Sequence, residues 1–154
     1  PAGEQLAVST DTLVTGVHFP AACDPVLLGQ RSLAVAASDL AAMGATPIGF
    51  TLALTLPEVS ADWLQAYADG LNRMARQCQL SLIGGDTTQG PLNISITVIG
   101  EVPIGQAILR NSAQVGDDLY VSGFLGDLCI SYNRATFTSR QSHRSLIAAI
   151  NVAL

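Results

Sequence analysis

Apolar and polar residues alternate near the start of the chain and again around position 95, and between these stretches lie two segments with helical spacing. Period-two alternation marks a strand with one buried face, and 3–4 spacing marks an amphipathic helix. Gln5 to Ser9 and Leu13 to Phe19 are therefore expected as strands on either side of a turn at Asp11. Asp24-Pro25 starts a helix, with Asp as N-cap and Pro at the first helical position. That helix should run to about Met43 and stop at Gly44, and its Ala- and Leu-rich composition predicts burial on most sides. Pro47 to Leu56 is a buried-strand pattern, and Pro57 to Ser60 a turn that ends on Ser60 as the next N-cap. From Ala61 to about Gln79, Leu64, Ala68, Leu71, Ala75 and Cys78 share one helical face, while Asp69, Asn72, Arg73 and Arg76 lie largely elsewhere. Leu80 to Ile83 is a short strand running into Gly84-Gly85-Asp86, and Leu92 to Val102 alternates Asn93, Ser95 and Thr97 with Ile94, Ile96 and Val98.

The order β-β-α-β-α-β-β predicts an α+β domain: a mixed or antiparallel sheet with helices on one face. One more strand is expected within Val115 to Gly123, after a turn at Gly116-Asp117-Asp118. It would open a second domain, giving expected bounds of 1–112 and 113–154. From about Asn133 the pattern weakens, and Thr136 to Arg144 is polar and irregular.

With 49% hydrophobic and 12% charged residues, the chain is apolar enough for a sizeable core and far from a disordered composition. So little charge also suggests that a partner subunit covers some apolar surface. The net charge is −5 and the seven basic residues are scattered, which argues against nucleic-acid binding. Cys23, Cys78 and Cys129 are odd in number and lack CxxC spacing, so a reduced, cytoplasmic setting is expected rather than a zinc or disulfide framework. The apolar run Ile48 to Leu56 is too short to span a bilayer and ends at Pro57.

Against this background three aspartates stand out, each among small hydroxyl or glycine residues: Ser9-Thr10-Asp11-Thr12, Ser38-Asp39 and Gly84-Gly85-Asp86-Thr87-Thr88. Such carboxylates suit a hard cation, and Mg²⁺ binds a few of them together with waters and phosphate oxygens. That chemistry serves phosphoryl transfer from a nucleotide. Gly84 and Gly85 would let backbone N–H groups face phosphates, although the motif is no Walker sequence, since no Gly-Lys-Ser/Thr follows. Each motif also has a plain structural reading. Gly84 to Thr88 could be a tight turn capped by Asp and Thr, and Ser9-Thr10-Asp11 an Asx- or ST-turn. Asp39, on an apolar helix face three turns beyond Leu28, must be paired, hydrogen-bonded or metal-bound, and Ser38 or a backbone N–H could satisfy it. His18 at a strand end is a structural hydrogen-bonder or a ligand contact; Arg110 is an exposed charge or a phosphate partner. No residue stands out as a general base.

In these motifs the chain resembles the thiamine-monophosphate kinases, across roughly residues 5 to 126. The matching stretches are Ser9-Thr10-Asp11-Thr12-Leu13-Val14 with His18-Phe19, Ser38 to Ala45, Thr51 to Pro57, Leu82 to Thr88, and Gly116-Asp117 with Tyr120 to Gly123, in order. The resemblance implies a fold like the N-terminal domain of the aminoimidazole-ribonucleotide synthetase superfamily, paired across a homodimer with ATP in a cleft. It implies transfer of the ATP γ-phosphoryl to thiamine monophosphate, with several Mg²⁺ ions. By the same resemblance Ser9, Thr10, Asp11, Asp39 and Asp86 are metal-site positions, Gly85, Asp86 and Arg110 contact ATP, and His18 contacts the substrate. Members of that family carry a Gly-Asp-Asp segment upstream and further Asp-Gly and Gly-Glu-Asp motifs downstream, so the chain is expected to be a fragment of such a kinase. Two other expectations stand beside it: a non-catalytic dimerisation module, and another ATP-dependent member of the superfamily, such as a selenophosphate synthetase or hydrogenase-maturation protein.

Overall fold

The computed structural model describes residues 3–118. Its elements run β1 (Glu4–Val14), α1 (Pro25–Ala42), β2 (Thr46–Leu56), α2 (Ala61–Gln77), β3 (Ser81–Gln89) and β4 (Asn93–Pro103). The four strands form one mixed sheet in the order β1-β4-β2-β3. β4 is antiparallel to both β1 and β2, and β2 and β3 are parallel, joined through α2. The α+β class and the mixed sheet agree with the sequence pattern. Most of the strand expected within 115–123, the tail beyond it, and all but the start of the expected second domain lie outside the described residues.

Two strand expectations are corrected. β1 is one continuous strand through Asp11, in unbroken register from Glu4↔Pro103 to Val14↔Asn93. The turn comes later, at residues 15–18, where Gly16 takes φ +78° and His18 N–H donates to the Val14 carbonyl at 2.9 Å. Likewise Gly84-Gly85-Asp86 is no loop: it lies within β3, paired with Thr51, Leu52 and Ala53 of β2. Among the described residues both are edge strands, with one neighbour each and little apolar alternation to mark them.

The helices follow their local signals closely. The Asp24 carboxylate accepts from Val26 N–H at 2.8 Å and Leu27 N–H at 3.4 Å, and Ser60 Oγ accepts from Trp63 N–H at 3.4 Å. α1 closes on Gly44 at φ +69°, with Ala45 N–H donating to Leu40 O at 2.9 Å and Gly44 N–H to Ala41 O at 3.0 Å. That pair of bonds is a Schellman cap, for which a residue with positive φ is required. α2 closes the same way, except that Gln79 at φ +55° stands where glycine is usual.

α1 packs on β1, β4 and β2, and α2 packs chiefly on α1. Ile94, Ile96, Val98 and Val102 of β4 are buried beneath the helices with Phe50 and Leu54 of β2, Leu13 of β1, and Leu28, Leu33 and Leu40 of α1. The helices approach closely. A Cβ at Gly29 would sit 2.3 Å from Tyr67 O, and one at Gly70 would sit 1.9 Å from Val26 O. Beside that crossing Tyr67 Oη and Ser32 Oγ meet at 3.0 Å, and Ser32 also donates to Gly29 O at 3.1 Å. With the single serine proton so used, Tyr67 is the donor of the pair. The buried face of α2 is therefore centred on Tyr67, Gly70, Leu71 and Met74, turned from the Leu64-Ala68 line expected from the sequence, where both residues are only half-buried.

Among the described residues no helix packs on the opposite face of the sheet. Register places Thr10, Thr97, Thr51 and Gly84 in one row across it, and Thr12, Ser95, Ala53 and Asp86 in the next. Thr10–Thr97 and Thr12–Ser95 hydroxyl pairs, both at 2.8 Å, tie β1 to β4 along these rows, and Thr55–Thr88 at 3.1 Å ties β2 to β3.

Candidate functional site

Strand alternation puts Ala7, Ser9, Asp11 and Leu13 on the face of β1 under α1. Ala7 and Leu13 are buried, and Ser9 and Asp11, between them, are half-buried. Asp39 in the fourth turn of α1 comes down onto the same strip, where its carboxylate accepts a hydrogen bond from Ser9 Oγ. The partner of Asp39 is thus thirty residues away in sequence; Ser38, the local alternative, donates its hydroxyl to Val35 O at 2.7 Å instead.

Asp11 and Asp39 lie near enough to repel. Burial raises the pKa of Asp11 above the usual carboxylate range, the charge of Asp39 raises it further, and His18 nearby pulls the other way. Two carboxylates sharing a half-buried strip, with a hydroxyl between strand and helix, form an oxygen-rich site that a divalent cation would relieve. Mg²⁺ takes one or two carboxylates and fills its remaining positions with water and phosphate oxygens, so Ser9, Asp11 and Asp39 fit it. Among the described residues no three His, Cys, Asp or Glu side chains are grouped to hold a metal by themselves.

His18 is exposed just beyond the end of β1. Its Nδ1 accepts the Val14 N–H at 2.9 Å, which leaves Nε2 as the nitrogen that carries a proton outward in the neutral ring. Phe19, fully buried, anchors the turn.

The other candidates are not brought to this strip. The side chain of Thr10 is on the open face, bonded to Thr97, so only its backbone is near Ser9 and Asp11. Asp86 is exposed on β3, at the far edge of the sheet, in the open-face row of Thr12. Gly85 needs to be glycine for a structural reason: at φ +154° a Cβ would lie 2.0 Å from Leu52 O. Gly84 has no such constraint, its nearest neighbour being Thr51 Cγ2 at 3.9 Å. Arg110 is exposed in the segment after β4, and among the described residues no hydrogen bond or ion pair joins it to the other candidates. Asp117 accepts the Gln114 N–H at 2.8 Å in an exposed turn, as expected for a solvated Gly-Asp-Asp. The feature that sequence reading missed is the hydroxyl ladder of the open face; the alternation Asn93, Ser95, Thr97 was its visible half.

A four-stranded mixed sheet with helices on one side and an acidic strip under the first helix defines a class. Residues 1–102 match the family model described as AIR synthase related protein, N-terminal domain, and the chain belongs to that family. Among curated proteins it is 46% identical over 151 residues to a thiamine-monophosphate kinase of Salmonella typhimurium LT2, covering 96% of this chain and 46% of that one. Among solved structures it resembles a thiamine-monophosphate kinase from Stenotrophomonas maltophilia K279a, at 56% identity and a TM-score of 0.79, over 82% of this chain and 40% of that one. It also resembles AaThiL complexed with AMPPCP and TMP, at 27% identity and a TM-score of 0.82, over 98% of this chain and 52% of that one. The chain thus spans about half the length of the relatives it matches or less.

Proposed function

We propose that this chain carries the Mg²⁺–ATP half of a thiamine-monophosphate kinase, which transfers the γ-phosphoryl of ATP to thiamine monophosphate and releases ADP and thiamine diphosphate. The observation that carries the reading is the Ser9–Asp39 bond beside Asp11, set in a chain 46% identical to a kinase of that name. In this reading Ser9, Asp11 and Asp39, with the Thr10 backbone and Asp86, hold Mg²⁺, and Gly85, Asp86 and Arg110 border the ATP phosphates. Bound Mg²⁺ offsets the repulsion between two anionic reactants and aligns an in-line displacement.

The acceptor oxygen belongs to a phosphate monoester, whose second pKa is about 6. It is already ionised near neutral pH, so no side chain need remove a proton, in keeping with the lack of a general base among the candidates. A phosphate oxygen of thiamine monophosphate forms the new bond to the γ-phosphorus as the bond to the β,γ-bridging oxygen breaks, and the electron pair leaves with ADP. In this reading His18, whose Nδ1 is taken by the Val14 N–H, donates from Nε2–H to the substrate. Residues 1–112 form the nucleotide domain in this account, which acts as a homodimer in the cytoplasm.

The test is phosphoryl transfer from ATP to thiamine monophosphate by the full chain, with Asp39→Asn as the matched variant. Mg²⁺-dependent formation of thiamine diphosphate, reduced at least a hundredfold by Asp39→Asn, supports the reading. Phosphorylation of a different acceptor with the same Mg²⁺ dependence would move the protein to another branch of the family. Nucleotide-independent dimers with no Mg²⁺–ATP binding would make it a dimerisation module.

A further inference from the structure

Arg110 borders the ATP phosphates in the proposed function, yet it lies past the end of β4, in a segment without helix or strand. A long side chain on a loose segment loses backbone and rotamer freedom when it binds, and that loss weakens the contact. This segment is tied down. Gln106 N–H donates to Pro103 O at 2.9 Å, and Ala107 packs half-buried against the core. Ile108 N–H then donates to Met43 O at 3.1 Å, and its side chain lies over Gly44, with Cδ1 3.4 Å from where a Cβ would stand. Directly after this contact Ser112 N–H closes a turn onto Leu109 O at 3.2 Å, and Ser112 Oγ donates to the same oxygen at 2.6 Å. Arg110 is the first central residue of that turn and is exposed.

The seat of Ile108 is the C-terminal end of α1, the helix that carries Asp39. Met43 caps that helix, its N–H donating to Asp39 O and to Leu40 O, both at 3.1 Å. The last carbonyls of a helix have no donor within it, and Ile108 supplies one to Met43. Gly44 takes positive φ for the Schellman cap, and the side chain it lacks leaves room for Ile108. Met43 therefore bonds Asp39 through its N–H and Ile108 through its carbonyl.

We infer that Ile108 is a positioning residue: docked on Met43 and Gly44, it holds the turn of residues 109–112 to the end of α1 and so sets Arg110 for the nucleotide phosphates at a fixed reach from Asp39. This rests on the reading of Arg110 as an ATP contact. Without Ile108 the last hydrogen-bonded tie before Arg110 is at Gln106, and the backbone between them must be ordered each time nucleotide binds. Ile108 is 56% exposed, so the fold itself depends little on its side chain. Its effect on binding runs through Arg110 alone.

A double-mutant cycle on the full chain tests the inference, with AMPPCP affinity at saturating Mg²⁺ measured by isothermal titration calorimetry. Arg110→Ala should weaken binding about twentyfold, the loss of a hydrogen bond to a charged group. Ile108→Ala should weaken it about fivefold, the cost of ordering a freed arm. With the arginine already gone, Ile108→Ala should change nothing more, so the double variant binds as Arg110→Ala does. Ile108→Leu, which keeps an apolar chain of the same volume, should bind as the wild type does. The KM for thiamine monophosphate should not move in Ile108→Ala, and its Tm should stay within about 2 °C of the wild type's. Wild-type affinity in Ile108→Ala overturns the inference. So does a double variant weaker than Arg110→Ala by the full Ile108→Ala factor, or a KM for thiamine monophosphate that rises in step with the loss of AMPPCP affinity. An Arg110→Ala protein that binds AMPPCP as tightly as the wild type removes the reading of Arg110, and the inference with it.

Discussion

Replacing Gly70 with alanine should loosen the helical layer that holds Asp39. A Cβ there would stand 1.9 Å from Val26 O and 3.0 Å from Val26 Cα, both backbone atoms that no rotamer change can move. Real Cβ atoms keep at least 3.0 Å, so α1 and α2 must part by about 1.1 Å. Overpacking of this kind costs about 1–3 kcal/mol. Parting the helices also stretches the 3.0 Å Tyr67–Ser32 bond beyond hydrogen-bonding range, at a cost of about 1 kcal/mol. Alanine returns about 1 kcal/mol of helix propensity relative to glycine. The balance is a loss of about 2 kcal/mol, or about 8 °C in Tm at roughly 4 °C per kcal/mol. Urea denaturation followed by circular dichroism should show a lower midpoint with an unchanged slope. Gly29→Ala meets Tyr67 O at 2.3 Å across the same contact. Once one alanine has parted the helices the second should cost less, so the double variant falls short of additivity. A Gly70→Ala protein as stable as wild type would refute the close crossing, and with it the account of how α1 is held over β1.

Further outcomes follow from individual residues. Gln79→Gly should stabilise by about 0.5 kcal/mol, because the αL cap costs a non-glycine residue about 1–2 kcal/mol and the gain is partly offset by a freer unfolded chain; a melting curve checks it. Asp24→Ala should cost about 1 kcal/mol through loss of the N-cap bonds to Val26 and Leu27. Burial lifts Tyr67 to about 12, so the folded state retains a proton that the unfolded state gives up near pH 10. Stability should therefore fall as pH rises from about 10 to about 12, and Tyr67→Phe should flatten that limb in pH-dependent urea titrations. The raised pKa of Asp11 has the same sign. Its contribution is fully present below the unfolded carboxylate value and is lost as pH rises through the folded one. Asp11→Asn should then stabilise the metal-free protein at neutral pH while removing Mg²⁺-dependent nucleotide binding.

The helices were legible because their ends are chemical: Asp24 with Pro25, Ser60, and Gly44 mark three of the four termini, and each makes the expected bonds. The fourth, at Gln79, was placed two residues late, since a glutamine gives no sign of positive φ. Central strands were legible because β4 alternates buried isoleucine and valine with polar residues. Edge strands were not. Ser-Thr-Asp-Thr and Gly-Gly-Asp-Thr-Thr resemble turns when judged by composition, yet each lies within a strand, the second just after a register shift at Ile83, held by backbone pairing and hydroxyl pairs to residues far off in sequence. Of the candidate site, the residue types were legible and the partnerships were not. Asp39 on an apolar helix demanded a partner, but nothing local identified Ser9, which a strand brings beneath it. Nor does spacing along the chain reveal that Asp11 and Asp86 occupy opposite edges; that depends on strand order, which inserts β4 between β1 and β2.

The most direct test of the acidic strip as a Mg²⁺–nucleotide site is the calorimetric midpoint of the protein with and without Mg²⁺ and AMPPCP together. A ligand bound to the native state stabilises it by mass action, about 2.7 kcal/mol at a hundred times its Kd. The account predicts a rise that needs both Mg²⁺ and AMPPCP and disappears in Asp39→Asn. A folded wild-type protein whose midpoint does not move, or an Asp39→Asn protein whose midpoint rises as far as the wild type's, would contradict it.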